Sequence, residues 1–519
     1  MPEKKQSIAK SAVLVTTMML GFKIIGFIKQ AVVAYYYGAT QETDIYFIAW
    51  GLVSGVSEAV VKALSVSIVA IYTSLRVKKG KEEAARLVNG LVEILFPIFL
   101  LMVCVILFSA SLFAGILAPS YDAEERVLLA RYIRILAPVL LFGSLELIFG
   151  AVLDSYKSFF IPRLQSFIYS MATILCCVTL SGRIGVTGLV AAQYASNVLF
   201  TILLITSVRR YHRFFLVKIR ELSELKNILN TALPLFIGNS ALQINQIVDK
   251  SITSGLGQGA TSALSYCHTL EQFVTNIMIV NIGNVMFANF AEFVAQKEYE
   301  QIGKTLKTAL NVLICVLLAV SIITVICAED IVSIVYHRGS FSAEAVVLTA
   351  CALTGYALSF VAVAVRDLSI KSMYAFKDTR HPMLASLVSI LINIVFSLTL
   401  SRFLGIFGVS LATSISAFVG MMINAHFLKK YLTDYRYTDH LIFFFKILPA
   451  GIVVAVVTWC MHRYVPLGHL WMFLLICVVG FTCYFGQLYL MRITEVRIFT
   501  DMVRKKIKSK KGESYEYKD

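Results

Sequence analysis

Charge is scarce in this chain. Asp, Glu, Lys and Arg together supply 15% of its 519 residues, apolar types supply 58%, and the mean hydropathy is +0.77. Those values exclude a soluble globular domain and define a polytopic membrane protein. Recognisable cysteine and histidine chemistry is missing as well. The ten cysteines include no CxxC pair, and all fall within apolar runs, Cys176, Cys177 and Cys315 among them. They read as core packing, not as disulfides or metal ligands. The eight histidines form no HExxH or comparable ligand spacing, so no metal site is expected. No Walker loop, GxSxG elbow or dinucleotide fingerprint is present, which excludes a built-in ATPase and points away from an enzyme.

What the chain has in quantity is hydrophobic runs long enough to cross about 30 Å of hydrocarbon. They lie near 8–37, 45–75, 84–118, 125–156, 160–180, 185–208, 227–254, 260–295, 303–327, 342–376, 382–401, 405–428, 441–462 and 468–491. Fourteen transmembrane helices are therefore expected. Lys and Arg favour cytoplasmic loops, and with both termini inside, 33 of them fall on the cytoplasmic side against four outside: Arg183, Arg338, Arg402 and Arg463. Most of the formal charge of +16 is this bias, densest in the tail "RKKIKSKKG". It reads as a topology determinant facing anionic lipid, not as a nucleic-acid site. The N-terminal run continues through Lys23 without a small-residue cleavage pattern, so it is expected to stay as the first span.

The chain is internally duplicated. A constant shift of 220 matches Lys157 with Lys377, Pro162 with Pro382, Leu164 with Leu384, Gly185 with Gly405, Gly188 with Gly408 and Tyr211 with Tyr431. "GAT" at 38–40 recurs at 259–261. Six crossings per repeat give both halves the same orientation, so two parallel six-helix lobes related by a pseudo-two-fold along the membrane normal are expected, as in rocking transporters. The divisions are an N-lobe at 1–220, a C-lobe at 221–440, two appended helices at 441–491 and a basic tail at 492–519. A substrate path is expected between the lobes.

Polar residues concentrate in the helices that would line it. Span 1 holds Lys23 and Lys29, span 2 holds Glu58 and Lys62 four residues apart, and span 7 holds Asp249 and Lys250. Span 8 holds His268, Glu271 and Gln272, and span 10 holds Arg366, Asp367 and Lys371. A lysine near mid-bilayer costs about 2.5–3.5 kcal/mol on insertion scales, so lipid exposure of Lys23 is disfavoured. Lys23 and Lys29 differ by about 120° around the helix and about 9 Å along it, close enough to border one wide cavity. Lys29 lies nearer the helix end, where a local structural role is the competing reading. Glu58 with Lys62, and Asp367 with Lys371, have the alternative of neutralising each other. The excess is cationic, which invites an anionic substrate such as a phosphate or diphosphate.

"GFKIIGFIKQAVVAYYYGATQETDIYFIAW" at 21–50 resembles the first-span signature of the MurJ (MviN) family of lipid II flippases, within the multidrug/oligosaccharidyl-lipid/polysaccharide exporter superfamily. "VYHRGSFSAEAVVLTA" at 335–350 and "KSMYAFKDTRHPML" at 371–384 resemble two further family motifs. The resemblance implies translocation of an undecaprenyl-diphosphate-linked glycan, lipid II or a related lipid-linked oligosaccharide, from the inner to the outer leaflet by alternating access. It places Lys23 and Lys29 at family arginine positions, Asp44 at the aspartate of a "T-D" pair, Lys371 at a common basic position, and Asp378, Thr379 and Pro382 in a "D-T-R-x-P" turn. It also implies that the last two helices help form a groove for the lipid tail. The chain departs from the family at Gln30, around Ser57 and Glu58, and near Thr269, where Lys62, Lys250 or His268 are candidates to supply the missing charge.

Site expectations are therefore Lys23, Lys29, Lys62, Lys250, His268 and Lys371 for the diphosphate. For the polar cavity or ion coupling they are Asp44, Glu58, Asp249, Glu271, Gln272, Arg366 and Asp367. No cofactor is expected. Coupling to Na+, H+ or the membrane potential stays open. The expected partners are a polyprenyl-diphosphate-linked glycan, membrane lipids and cell-wall synthesis proteins, with the chain working as a monomer in the bacterial inner membrane. Two alternatives remain: a cation-coupled small-molecule exporter of the same superfamily, and a membrane glycosyltransferase or polymer ligase. The ligase would need catalytic carboxylates on a large outer loop, and the longest outer segment, about 328–341, is short.

Overall fold

The computed structural model describes residues 2–211, 223–432 and 435–495. The basic loop at 212–222 and the tail from 496 onward lie outside the described residues. So do the side chains of Lys4, Lys5 and Lys10. The described chain is helical: α1 (Pro2–Tyr37), α2 (Gln41–Lys78), α3 (Lys81–Leu117), α4 (Ala123–Leu136), α5 (Leu140–Ser155), α6 (Phe160–Ile184), α7 (Thr187–Val208), α8 (Ser223–Ser254) and α9 (Ala260–Thr275). It continues with α10 (Asn281–Gln296), α11 (Tyr299–Ile326), α12 (Ala328–Tyr336), α13 (Ala343–Ala357), α14 (Phe360–Ala375), α15 (Arg380–Leu428), α16 (Tyr437–Tyr464) and α17 (His469–Leu490).

Local chemistry sets several of these boundaries. Thr40 caps α2, its hydroxyl accepting from Thr43 N while Thr43 Oγ1 accepts from Thr40 N, and Asp122 and Glu125 form the same reciprocal box before α4. A short 3₁₀ turn, Ala137–Val139, separates α4 from α5, and a π-helical stretch, Asn276–Val280, separates α9 from α10. Ten helices among the described residues are long and apolar enough to cross a bilayer, or eleven when α13 and α14, bent by 48°, form one span. At 49 residues α15 is long enough for two crossings and breaks at Gly405, while α1 and α8 occupy the first and seventh expected intervals. This is an all-α polytopic membrane protein. The short α12 and the Arg-bearing α4, with Arg126, Arg131 and Arg134 exposed, have no separate counterpart in the hydrophobic-run reading.

Two compact units emerge. The first comprises Met1–Thr269, Val335–Thr349 and Asn393–Val409, and the second Leu270–Ile334, Ala350–Ile392 and Ser410–Asp519. In the first, α1 packs on α6, α5 packs on α2, α3 and α7, and α8 runs along α2. The core between α2, α3, α5 and α7 is built from Tyr72, Leu91, Leu147, Ile148 and Phe200. Gly51 and Gly55 form a small-xxx-small step on the α8-facing side of α2, which lets the two backbones approach closely. A methyl on Gly51 would stand 2.7 Å from Lys250 Nζ, and one on Gly55 would stand 3.4 Å from Ile247 Cδ1. Gly51→Ala is therefore expected to displace the end of the Lys250 side chain, whose Cδ would stand 3.0 Å from the new methyl. Gly51→Leu should lower stability by about 1–3 kcal/mol through overpacking, read as an earlier denaturation midpoint of the purified protein in detergent.

In the second unit α11 packs on α14 and α16, and α10 on α14, around Phe290, Leu306, Phe360 and Tyr484. Asp330 of α12 hydrogen-bonds both His462 Nε2 (2.8 Å) and His469 Nδ1 (2.6 Å), tying the end of α16 to the start of α17.

The duplication is visible in backbone detail. Lys157 and Lys377 are both left-handed (φ 62° and 63°). In both turns the next residue donates its N–H to a carbonyl five back, Ser158 to Leu153 and Asp378 to Met373, each at 3.0 Å. Tyr156 stacks on Tyr211 (4.5 Å, 25°), and Phe376 stacks on Tyr431 (4.8 Å, 17°), again a shift of 220. Gly185 (φ 54°, ψ −143°) and Gly405 (φ 57°, ψ −137°) share a conformation that L side chains rarely adopt. The second turn adds a carboxylate. Burial of Asp378 raises its pKa, but donors from His381 N, the Tyr431 hydroxyl and the His381 ring outweigh this and hold it below the usual carboxylate range.

Candidate functional site

On α1, Phe22 meets Phe167 of α6 (ring centroids 5.5 Å apart), Gly26 faces Ser170, and the Lys29 ammonium lies 4.6 Å from the centroid of the Tyr169 ring. Positions 22, 26 and 29 share one helical stripe, so Lys29 belongs to the face that packs on α6. The Tyr169 hydroxyl in turn accepts from Gln193 Nε2 at 2.9 Å. Lys29 is thus held by a cation–π contact on a polar chain. Lys23 falls off that stripe. It is half-buried, and among the described residues no carboxylate lies within ion-pair distance of it. An ammonium in that setting keeps its capacity for a phosphate oxygen.

On α2, Glu58 and Lys62 pair at 2.5 Å, as their spacing predicts, and Gln243 Nε2 of α8 donates to the same Glu58 oxygen at 3.4 Å. One helical turn or more away on α8, Lys250 donates to Phe47 O (3.1 Å). Its neighbour Asp249 is 5% exposed and accepts from Ser397 Oγ (3.2 Å) and Asn245 Nδ2 (3.4 Å). Asp44, 1% exposed, accepts from Gly259 N (2.7 Å) and Ser262 N (2.6 Å), capping the first turn of α9 from a distance of more than 200 residues in sequence. His268 is half-buried on the same helix.

In the second unit Lys371 Nζ donates to Asn284 Oδ1 (2.6 Å) and stands 3.9 Å from Asp367. A methyl on Gly283 would collide with both Asp367 and Lys371, so this glycine makes room for the pair. Arg366 packs its Cδ over Gly420, while Glu271 is half-buried and Gln272 exposed. The structure therefore brings Glu58, Lys62 and Gln243 together in one unit and Asp367, Lys371 and Asn284 in the other.

A cavity of about 550 Å³ inside the first unit takes in Glu58 and Lys62 and adds groups that sequence spacing did not single out. Arg163 of α6 donates to Asp154 of α5, and Gln165 Nε2 of α6 donates to Glu146 Oε2 of α5 at 2.5 Å. These pairs join different helices, so helical periodicity carries no signal for them. The weak signal was Glu146 itself, one acidic residue alone in an otherwise apolar run.

Comparison with known proteins places the chain in a family. The family model described as lipid II flippase MurJ matches residues 33–480. The chain is 22% identical over 487 residues to lipid II flippase MurJ of Burkholderia cenocepacia, covering 90% of this chain and 94% of that protein. It is 23% identical over 499 residues to probable lipid II flippase MurJ of Rickettsia prowazekii, covering 93% and 98%. A solved structure of lipid II flippase MurJ in an inward closed conformation shares the fold, with a TM-score of 0.79 at 20% identity over 92% of this chain and 99% of the other. An inward-facing multidrug resistance MATE transporter of the MOP superfamily is similar at a TM-score of 0.69 and 16% identity, over 80% and 95%. Multiple membrane-spanning helices and this match make it a bacterial inner-membrane protein, and the chain belongs to the lipid II flippase MurJ family.

Proposed function

We propose that the protein is a transporter that moves an undecaprenyl-diphosphate-linked glycan, lipid II or a close relative, from the inner to the outer leaflet by alternating access, for peptidoglycan synthesis. The observation that carries this reading is the family match across residues 33–480. Lys23 supplies the primary diphosphate contact. Its half-buried ammonium, without a carboxylate among the described residues, supports that role. Lys29, Lys62, Lys250 and Lys371 each have another partner in the structure, so they act as secondary contacts that exchange partners when substrate arrives.

Asp249 is the proposed ion-coupling carboxylate, supported by its burial and its hydroxyl and amide donors, with Na+, H+ or the membrane potential as the driving force. The Lys and Arg asymmetry supports cytoplasmic termini. The repeat supports lobes at 1–220 and 221–440, with 441–491 serving the lipid tail.

The test is rescue of a strain depleted of its own lipid II flippase, with mass spectrometry of the polyprenyl intermediates. Restored growth without lipid II accumulation is the expected result. Failed rescue, with accumulation of a different polyprenyl glycan when the gene is deleted from its own host, would reassign the substrate.

A further inference from the structure

The cavity of the first unit holds a carboxylate that the proposed transport reading does not use. Glu146 sits in α5 about 9 Å along the helix from Leu140 and about 14 Å from Ser155, well inside the hydrophobic run. Glu146 lines the cavity; its Oε2 accepts from Gln165 Nε2, whereas its Oε1 is closed off from solvent and has no hydrogen-bond partner among the described residues. A buried carboxylate oxygen left without a donor is strongly disfavoured unless something neutralises it.

The rest of the lining does not supply that something. From α2 come Glu58 and Lys62, already paired with each other. From α6 comes Arg163, already paired with Asp154, which α5 itself contributes. Neither α3 nor α7 places a charged residue on the lining, and Asn197 is the polar group α7 offers. Three acids therefore face two bases, and the two ion pairs leave Glu146 as the unmatched acid. A metal ion is poorly served: the second carboxylate oxygen is already turned to an amide donor, so Glu146 has one oxygen left to offer where a cation needs several oxygen ligands.

We propose that Glu146 is a proton-binding site. A hydronium ion gives its proton to Oε1, forming the neutral acid and a water molecule, and on release water takes the proton back as hydronium. The lining alternates between one net negative charge and neutrality. In the acid form the new hydroxyl can donate into the cavity, while Oε2 keeps its bond from Gln165. The site lies wholly within one repeat and does not depend on which lipid is carried.

The test is pH-difference infrared spectroscopy of the full-length protein in vesicles of phosphatidylethanolamine and phosphatidylglycerol, with no lipid-linked substrate present. Wild type is expected to show a protonated-carboxyl C=O band that grows as pH falls, and Glu146→Gln to lose the component of that band that Glu146 contributes. Gln165→Leu keeps the acid but removes the donor to its ionised form, so the band should persist with its midpoint moved upward by about one pH unit. Identical spectra for wild type and Glu146→Gln would overturn the proposal. Where Glu146→Gln does not fold, an unmoved midpoint in Gln165→Leu would overturn it equally. Because no transport is measured, either failure leaves the lipid assignment standing.

Discussion

Replacing Lys23 with Ala or Gln is expected to abolish rescue of a flippase-depleted strain while membrane abundance stays normal. The argument is one of unspent interaction. Holding an ammonium deep in a span costs about 2.5–3.5 kcal/mol, and a carboxylate beside it would ordinarily offset that cost. Lys62 has Glu58 at 2.5 Å, and Lys371 has Asn284 and Asp367. Lys23 has no such carboxylate among the described residues, so a phosphate oxygen is the group left to complete it. A charge-assisted hydrogen bond is worth about 1.5–3 kcal/mol, or about 10- to 100-fold in affinity. Lys23→Arg keeps the charge and should retain substantial rescue. Lys29→Ala should be milder than Lys23→Ala, because part of what it removes is a contact with the Tyr169 ring. Full rescue by Lys23→Ala would sink the assignment of the diphosphate to this residue.

What the sequence made legible follows from the range of the forces involved. Spans could be read because bilayer thickness acts on every crossing alike: α6, α7 and α11 begin and end within about five residues of the hydrophobic runs that predicted them. The repeat could be read because backbone conformation restricts residue type. A glycine at 185 and 405 is needed where ψ is near −140° at positive φ, and the shift of 220 links them. Pairs on one helix, such as Glu58 with Lys62, could be read from the spacing of four. Partners on different helices could not, because nothing in the local pattern records how α5 meets α6. Arg163 with Asp154, Gln165 with Glu146, and the ring under Lys29 became visible only once the helices were placed. The break between α4 and α5 was hidden for a related reason. Pro138 sits in a continuous apolar stretch, and hydropathy alone does not distinguish a 3₁₀ turn from a straight helix.

Asp44→Ala should produce a larger stability loss than Gly51→Leu. Both carboxylate oxygens are committed, one to Gly259 N at 2.7 Å and the other to Ser262 N at 2.6 Å, and the site is closed to solvent. Around it Ser262 Oγ meets Thr43 Oγ1 at 2.8 Å, and the Tyr266 hydroxyl donates to Gly38 O at 2.8 Å, so water has little room to replace the lost acceptor. Truncation leaves two buried N–H groups unsatisfied, each costing about 1–3 kcal/mol, and removes the negative charge that favours a helix N-terminus. Asp44→Asn separates these effects. Its amide oxygen can accept from one N–H, but its NH₂ then faces the other as donor against donor, so the isosteric change should recover less than half of the loss. Asp44→Glu keeps both acceptors and the charge but adds a methylene to a packed site, exchanging the polar defect for overpacking. The denaturation midpoints of the purified variants should therefore fall in the order wild type, Glu, Asn, Ala. An Asn variant as stable as wild type would mean that the carboxylate is not what holds the start of α9.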